Sequence, residues 1–300
     1  KDQINILSGQ DFSETIVTSK KRGLTTMANS LKLNQSTTQV SSDIKATNGS
    51  LSIASGNNIN ILASNLDAAS NVIIAAGRHV DGYGAVTTNL DANVNILSAN
   101  NKDYTHEKNS KTSLELNDVE DIAKTVTLTV LALNNGFMTA GAASAISYAS
   151  ALEVSRKDKA SESIKETVIS SNITSINNGN INISSGSDTA ILASNLKTTN
   201  SGDININVGD LIDGSGSIIT NNNAKVIISG DSNKETSYSK NEAIEFAIDV
   251  DSNGFSYANY QNDNNKDIKI TNVVSNLNSA NNININSKAD LLIKGSDLTT

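Results

Sequence analysis

"NINILASNLDAASNVIIAAG", Asn58 to Gly77, decides how the chain folds. Ile59-Asn60-Ile61 alternates apolar, polar, apolar, which puts both isoleucines on one face of a strand and the asparagine on the other. A little further on, Val72-Ile73-Ile74 starts a second apolar piece, and Ser, Asn, Asp and Ala fill the space between. Short strands joined by turn-forming residues over about 20 positions suit one rung of a solenoid.

The same triplet recurs as Ile4-Asn5-Ile6, Val94-Asn95-Ile96, Ile181-Asn182-Ile183, Ile204-Asn205-Ile206 and Ile283-Asn284-Ile285. Strands centred at Ser52, Ile73 and Asn95 form one evenly spaced series, and Asn182, Asn205 and Ile227 form another with nearly the same step. A companion strand follows each a short way on: Asn60 after Ser52, Ile191 after Asn182, Leu292 after Asn284. A period of about 21 holding two or three short strands predicts an all-β fold, a right-handed parallel β-helix. Its rungs stack about 4.8 Å apart. Ile6, Ile53, Ile61, Ile74, Ile96, Ile183, Ile191, Ile206, Ile228 and Ile285 are its expected inward ladder, and the outward asparagines can form amide ladders. Low-complexity disorder, a leucine-rich solenoid and a β-sandwich are the competing readings. The regular apolar ladders oppose the first and the missing Leu/Asn template the second, while the third also accommodates short alternating strands.

Composition agrees with a thin, stacked core. Among 300 residues there are no Pro, Cys or Trp, 3% aromatics and 44 asparagines. Prolines would interrupt rung ladders. A core of stacked Ile, Val and Leu has no need of large aromatic fillers. The net charge of −8 opposes nucleic-acid binding and simple docking to an anionic membrane. The lack of cysteine excludes disulfides and thiolate metal sites. No signal peptide is visible, and the chain reads as one β-helical fragment, residues 1–300, of a longer repetitive protein.

A longer unit lies above the rung. "INILSGQDFSETIVTSKKRGL" (Ile4 to Leu24), "VNILSANNKDYTHEKNSKTSLEL" (Val94 to Leu116) and "VIISGDSNKETSYSKNEAIEFAI" (Val226 to Ile248) share one layout. An apolar strand leads to Ser, a polar turn and a long Thr/Ser/Lys/Glu-rich run. "ILASNL" occurs at Ile61 and again at Ile191, and "LLIKGSDL" (Leu291 to Leu298) is its third version. Excursions near 24–36, 117–164 and 249–266 interrupt the rungs and are expected to project as hairpins or arms. The middle one holds "TVTLTVLALNNGFMTAGAASAISYASAL" (Thr125 to Leu152), which carries no charge anywhere along its length. It can be read as partly helical. A cap packed on the solenoid, a membrane-contacting or self-associating segment, and a membrane-spanning helix are its three readings. Leu128, Leu131, Phe137, Met138, Ile146, Tyr148 and Leu152 would form its contact arm.

"VNILSANN" with its polar run, "GNNINILASNL" and "VIIAAGRHV" together resemble the haemagglutinin repeats of filamentous-haemagglutinin-like exoproteins. The resemblance extends from Ile4 to Leu298 apart from the excursions. It points in particular to the second repeat region of contact-dependent growth-inhibition proteins. It implies a right-handed β-helical filament, exported by a dedicated outer-membrane partner transporter and secreted to the bacterial cell surface. It also implies adhesion, or toxin delivery to a target-cell surface or outer membrane, with the rest of the filament as a further partner. The excursion after Leu116 departs from the family pattern: it is longer and richer in Ala and Leu than the Gly-rich excursions of such proteins.

Catalytic, cofactor and metal sites are not expected. His79 and His106 are the only histidines, and they fall in different elements. "GDLIDGSGS" (Gly209 to Ser217) lacks the repetition that calcium-binding turns need, and "GRHVDGYG" (Gly77 to Gly84) has no clear helix after it to cradle a phosphate. A β-helical carbohydrate-active enzyme or carbohydrate-binding protein is the alternative. Arg22, Arg78 and Arg156 are the only arginines, and neither clustered carboxylates nor an aromatic platform is visible. The sequence therefore reads as a non-catalytic stalk without a cofactor.

Overall fold

The computed structural model describes residues 3–23, 25–117, 151–249 and 254–300, and among them there are strands and turns but no helix. The first coil holds β1 (Ile4–Leu7), the long antiparallel arms β2 (Gly9–Arg22) and β3 (Thr26–Val40), then β4 (Asp43–Ala46) and β5 (Leu51–Ser55). The second holds β6 (Ile59–Leu62), β7 (Asn65–Ala68) and β8 (Val72–Ala76), followed by a short hairpin, β9 (Arg78–Val80) and β10 (Val86–Thr88). In the third, β11 (Val94–Leu97) leads to the arms β12 (Ala99–Asn117) and β13 (Ala151–Ile169), then β14 (Asn172–Ser175) and β15 (Ile181–Ser185). The fourth has β16 (Thr189–Leu192), β17 (Asn195–Thr198) and β18 (Ile204–Val208), with the short hairpin β19 (Asp210–Ile212) and β20 (Ile218–Thr220). The fifth has β21 (Val226–Ser229), arms β22 (Asp231–Asp249) and β23 (Gly254–Val273), β24 (Ser275–Asn278) and β25 (Ile283–Asn286); the sixth has β26 (Leu291–Lys294) and β27 (Ser296–Thr299).

Equivalent strands of successive coils pair in parallel. Sheet 1 runs β1-β6-β11-β16-β21-β26, sheet 2 runs β4-β7-β14-β17-β24-β27, and sheet 3 runs β5-β8-β15-β18-β25. The fold is therefore a parallel stack of coils closed by three sheets, consistent with a β-helix. Where no insertion intervenes, aligned positions recur once per bare coil, as in Leu51 with Val72 and Asn172 with Asn195.

The interior is built from identical positions stacked along the axis. Ile6, Ile61, Ile96, Ile191 and Ile228 line up in sheet 1. Ile53, Ile74, Ile183, Ile206 and Ile285 line up in sheet 3. All ten lie in or against the core; Ile285, in the fifth coil, is half-buried and the other nine are buried. Among the described residues the core cluster contains no aromatic side chain. A coil only one strand thick is filled by branched aliphatics from its three walls, and each isoleucine packs on its own image about 4.8 Å away.

Two expected series do not hold. Asn95 does not continue the line from Ser52 and Ile73, nor Ile227 the line from Asn182 and Asn205. Ser52, Ile73, Asn182, Asn205 and Asn284 form one line in sheet 3, whereas Asn95 pairs with Asn60 and Ile227 with Ala190 in sheet 1. The short hairpins cause the false match. Inserted between sheet 3 and the next sheet 1 strand, they lengthen that corner until its span equals one bare coil.

Asparagine amides bind the outside as apolar packing binds the inside. In sheet 2, Asn65 Nδ2 donates to Asp43 Oδ1 at 2.6 Å, Asn172 to Asn65 at 2.8 Å, Asn195 to Asn172 at 2.8 Å and Asn276 to Asn195 at 3.0 Å. Shorter ladders join Asn5, Asn60 and Asn95 in sheet 1, and Asn182, Asn205 and Asn284 in sheet 3. Each amide donates toward the preceding coil, so the dipoles align along the stack.

A hydroxyl closes the corner between sheets 1 and 2 in every coil. Ser42, Ser64, Ser171, Ser194, Ser275 and Ser296 donate from Oγ to the carbonyl of the last sheet 1 residue: Leu7, Leu62, Leu97, Leu192, Ser229 and Lys294. The distances run from 2.6 to 3.2 Å. In coils two, four and six this bond spans a tight turn whose middle residue, Ala63, Ala193 or Gly295, has positive φ. In coils one, three and five the same bond bridges the base of an arm pair, so the coil resumes as though nothing had been inserted. Ser171 also accepts the Ser64 backbone N–H at 3.2 Å. We expect Ser171→Ala to cost about 1–2 kcal/mol, because the buried Ser64 amide loses its partner, whereas the Leu97 carbonyl still accepts the Ala63 backbone N–H. Chemical denaturation would show the cost, and hydrogen exchange should rise first at the base of β12 and β13.

Candidate interaction surface

The chemistry-bearing surface of this chain is the sheet made by its arms. All three arm pairs leave the same corner on alternate coils. They join in the order β2-β3-β12-β13-β22-β23, every neighbour antiparallel. Strand spacing explains the alternation. An arm pair is two strands, about 9.6 Å wide, and two coils rise by the same amount. Arms on alternate coils therefore abut without gap or crowding. The arms enclose the expected excursions 24–36, 117–164 and 249–266 and begin nearer the coils than those stretches, directly after the sheet 1 strand. Leu128, Leu131, Phe137, Met138, Ile146 and Tyr148 lie outside the described residues; Leu152 lies in β13, and its side chain is likewise outside them.

Residues directly opposite one another across the arms form rows, and alternate rows face opposite sides. One row reads Glu14, Gln35, Tyr104, Ile164, Thr236 and Ile268, whereas the next reads Thr15, Asn34, Thr105, Ser163, Ser237 and Asp267. Phe12, Ile16, Leu31, Leu33, Tyr238 and Ile270 share the side of Tyr104 and Ile164 by the same alternation. The sheet is amphipathic, and Phe12 is 65% and Ile270 62% exposed on its apolar side.

Charge is also uneven. Lys20, Lys21 and Arg22 on β2, Lys108 and Lys111 on β12, and Arg156, Lys157 and Lys159 on β13 cluster in the rows of the outer half of β2, with Asp158 among them; farther out on β12 and β13, Glu115 stands opposite Glu153. Lys111 stands directly opposite Lys157, an unfavourable pairing in itself. Burial alone would raise the Asp158 carboxyl, but hydrogen bonds from Ser110 and Arg156 and the charges of Arg156 and Lys108 hold it below the ordinary range. A chain of net charge −8 thus carries a basic band across its first two arm pairs. Whole-chain charge conceals it. The runs Lys20-Lys21-Arg22 and Arg156-Lys157-Asp158-Lys159 were the available sequence signal.

The short hairpins are structural turns. Gly77 and Gly209 open them with φ of 97° and 87°, and a Cβ there would meet the carbonyl oxygens of Asn89 at 2.5 Å and Asn221 at 2.7 Å. Asp81 Oδ1 accepts the Tyr83 and Ala85 backbone N–H groups, and Asp213 Oδ1 those of Ser215 and Ser217. Both carboxylates are thus engaged in closing their own loops. Lys288 Nζ meets Asp210 Oδ2 at 2.6 Å and ties the second hairpin to the last coils. Burial pushes the Asp210 carboxyl up, but hydrogen bonds from Lys288 and Thr220 and the Lys288 charge bring it below the usual value. A lowered folded value stabilises above the ordinary carboxylate range and is lost in acid. The melting difference between wild type and Asp210→Asn should therefore be present at neutral pH and close as pH falls through that range.

Other candidate positions do not converge. His79 lies on β9 and His106 on β12, where it stands between Leu33 and Glu162. Among the described residues no group of three or more His, Cys, Asp or Glu could hold a metal ion. No described helix is long and apolar enough to cross a membrane, which says nothing of crossing by strands. A shallow cavity of about 790 Å³ lies on the outer face of sheet 2, lined by Asn172, Asn195, Lys197, Asn276, Asn278 and Asp297 among others. It contains one carboxylate, where glycoside hydrolysis ordinarily uses two.

Coils with projecting arms, repeated in phase, run through the second half of the chain, and residues 154–300 match the Hemagglutinin repeat family. This part of the chain is a hemagglutinin repeat region. The match runs from arm β13 to β27, and coils one and two repeat the order of strands, serine bridges and insertions found in the matched coils. No curated protein and no solved structure matches the chain.

Proposed function

We propose that this chain is a non-catalytic stalk segment of a secreted, surface-exposed bacterial filamentous protein, an adhesin or a contact-dependent toxin-delivery protein. The stalk is a right-handed β-helix with a sequence period of about 21 per bare coil, exported through an outer-membrane partner transporter. The observation that carries this reading is the stack of hemagglutinin-repeat coils from which arms project in register. A stack whose contacts are all between neighbours can be lengthened without changing its cross-section, which suits reach rather than turnover. The arm sheet, with an apolar side and a basic band, is the part that meets a target-cell surface. Local positive charge there can steer encounter with anionic envelopes although the whole chain is acidic.

The test is retention of the purified chain on bacterial and host cells, compared with a variant carrying Lys20→Glu, Lys21→Glu and Arg22→Glu. At least about tenfold weaker retention of the variant at low salt, with unchanged melting, supports the proposal. Equal retention, or turnover of a glycan panel that is lost in Asp297→Ala, overturns it in favour of a β-helical carbohydrate-active protein.

A further inference from the structure

On the polar side of the arm sheet, positive charge is left uncompensated. Lys21, Ala28, Lys111 and Lys157 occupy a single row across β2, β3, β12 and β13. The neighbouring row on the same side reads Ser19, Ser30, Asn109 and Lys159. Ala28 and Ser30 are short, so β3 forms the floor of a depression of about 410 Å³ whose rim carries Lys21, Lys111, Lys157 and Lys159. Lys21 and Lys111 face each other across that floor, two strand spacings or about 9.6 Å apart.

The lysines crowd here at a cost, because Lys111 and Lys157 are like charges in directly opposite positions. Nearby carboxylates relieve little of it. Glu245 pairs with Lys157 and Glu107 with Lys32, and among the described residues Lys21, Lys111 and Lys159 have no ion-pair partner. The other side of the same strands differs. There Lys20, Lys108 and Arg156 line a depression together with Asp158, whose Oδ2 accepts from Arg156 Nε and meets Arg156 Nη2, both at 2.9 Å. That side holds its own anion, whereas the polar side leaves its lysines open to an anion from outside.

We propose that this depression binds a phosphate monoester borne on a sugar. Such a group carries about −1.5 to −2 charge near neutral pH and three acceptor oxygens, so it can face several ammonium groups at once. A sulfate ester or a carboxylate offers a single charge. Lysines suit the task, because point charges on flexible stems close on a tetrahedral group without a planar fork. Ser19, Ser30 and Asn109 set neutral hydroxyl and amide groups beside them, which can exchange hydrogen bonds with sugar hydroxyls. The inference rests on the reading of the arm sheet as the part that meets a cell surface, and it names the ligand class met there.

Glucose 6-phosphate is titrated into the isotopically labelled chain at constant ionic strength, and amide shifts are followed by NMR. Glucose, glucose 6-sulfate and inorganic phosphate are the comparisons. We expect saturable shifts centred on Ala28, Ser30, Asn109 and Lys111. Glucose and glucose 6-sulfate should bind at least about tenfold more weakly, and inorganic phosphate several-fold more weakly. The phosphate monoester takes up a proton below about pH 6 and loses charge, so binding should weaken several-fold between about pH 7.5 and about pH 5. Lys111→Gln should lower affinity at least about tenfold yet raise the melting temperature, because it ends the opposition to Lys157. Lys266→Gln, on the apolar side of β23, should leave affinity unchanged. Equal binding of glucose or inorganic phosphate, or equal loss in Lys111→Gln and Lys266→Gln, overturns the proposal. Cell retention that survives such a result keeps the stalk reading and removes only this site. Saturable sugar-phosphate binding without cell retention keeps the site and removes that reading.

Discussion

Ile191→Asp should unfold the centre of the stack, with a loss of more than about 4 kcal/mol. Ile191 is fully buried and lies between Ile96 and Ile228 in the sheet 1 ladder. The substitution removes its packing with both neighbours and places a carboxylate where the surroundings are aliphatic. The consequence spreads, because each coil is held chiefly by the coils on either side. Asn205→Ser, on the outside of sheet 3, should cost only about 1 kcal/mol, since it shortens one amide ladder and buries nothing unpaired. Thermal melts of the two variants check the assignment of inward and outward positions. Equal tolerance would sink it.

The second large effect concerns the arms. Excising 98–170 and joining Leu97 to Ser171 through one alanine copies the turn Leu62-Ala63-Ser64 of coil two. The coils should survive, because Ser171 would still reach the Leu97 carbonyl. The arm sheet should not. β3 and β22 would face each other across a gap of about 9.6 Å, two strands wide, which no hydrogen bond spans. Two separate two-stranded ribbons would remain, and such ribbons are marginal in water. Amide exchange and proteolysis in 9–40 and 231–273 should accelerate by at least about tenfold while the core coils keep their protection. Arms that stay protected would refute the spacing argument.

Much of the fold is written in short sequence patterns. Ile-Asn-Ile specified strands with an apolar inside, and the recurring opening segments specified where the chain leaves the coil. The repetition of Ser followed by Asn or Asp and then Ile or Leu, at Ser42, Ser64, Ser171, Ser194, Ser275 and Ser296, was equally present. Unequal insertions separate its copies and hide it from any search for a fixed period. Spacing also misled where a short hairpin made a corner as long as a coil, which moved Asn95 and Ile227 into the wrong series.

The sequence by itself determined the local units: alternating apolar strands, turns of Ser, Asn and Gly, and polar runs that alternate as strands. These depend on side-chain period and turn chemistry between near neighbours in the chain. The tertiary structure alone decided which strands are neighbours, that the arms fuse into one amphipathic sheet, and that Lys111 meets Lys157 in a basic band. The reason is geometric: partners separated by an arm pair are brought together by the equality of two strand widths and two coil rises, and no local pattern encodes that distance.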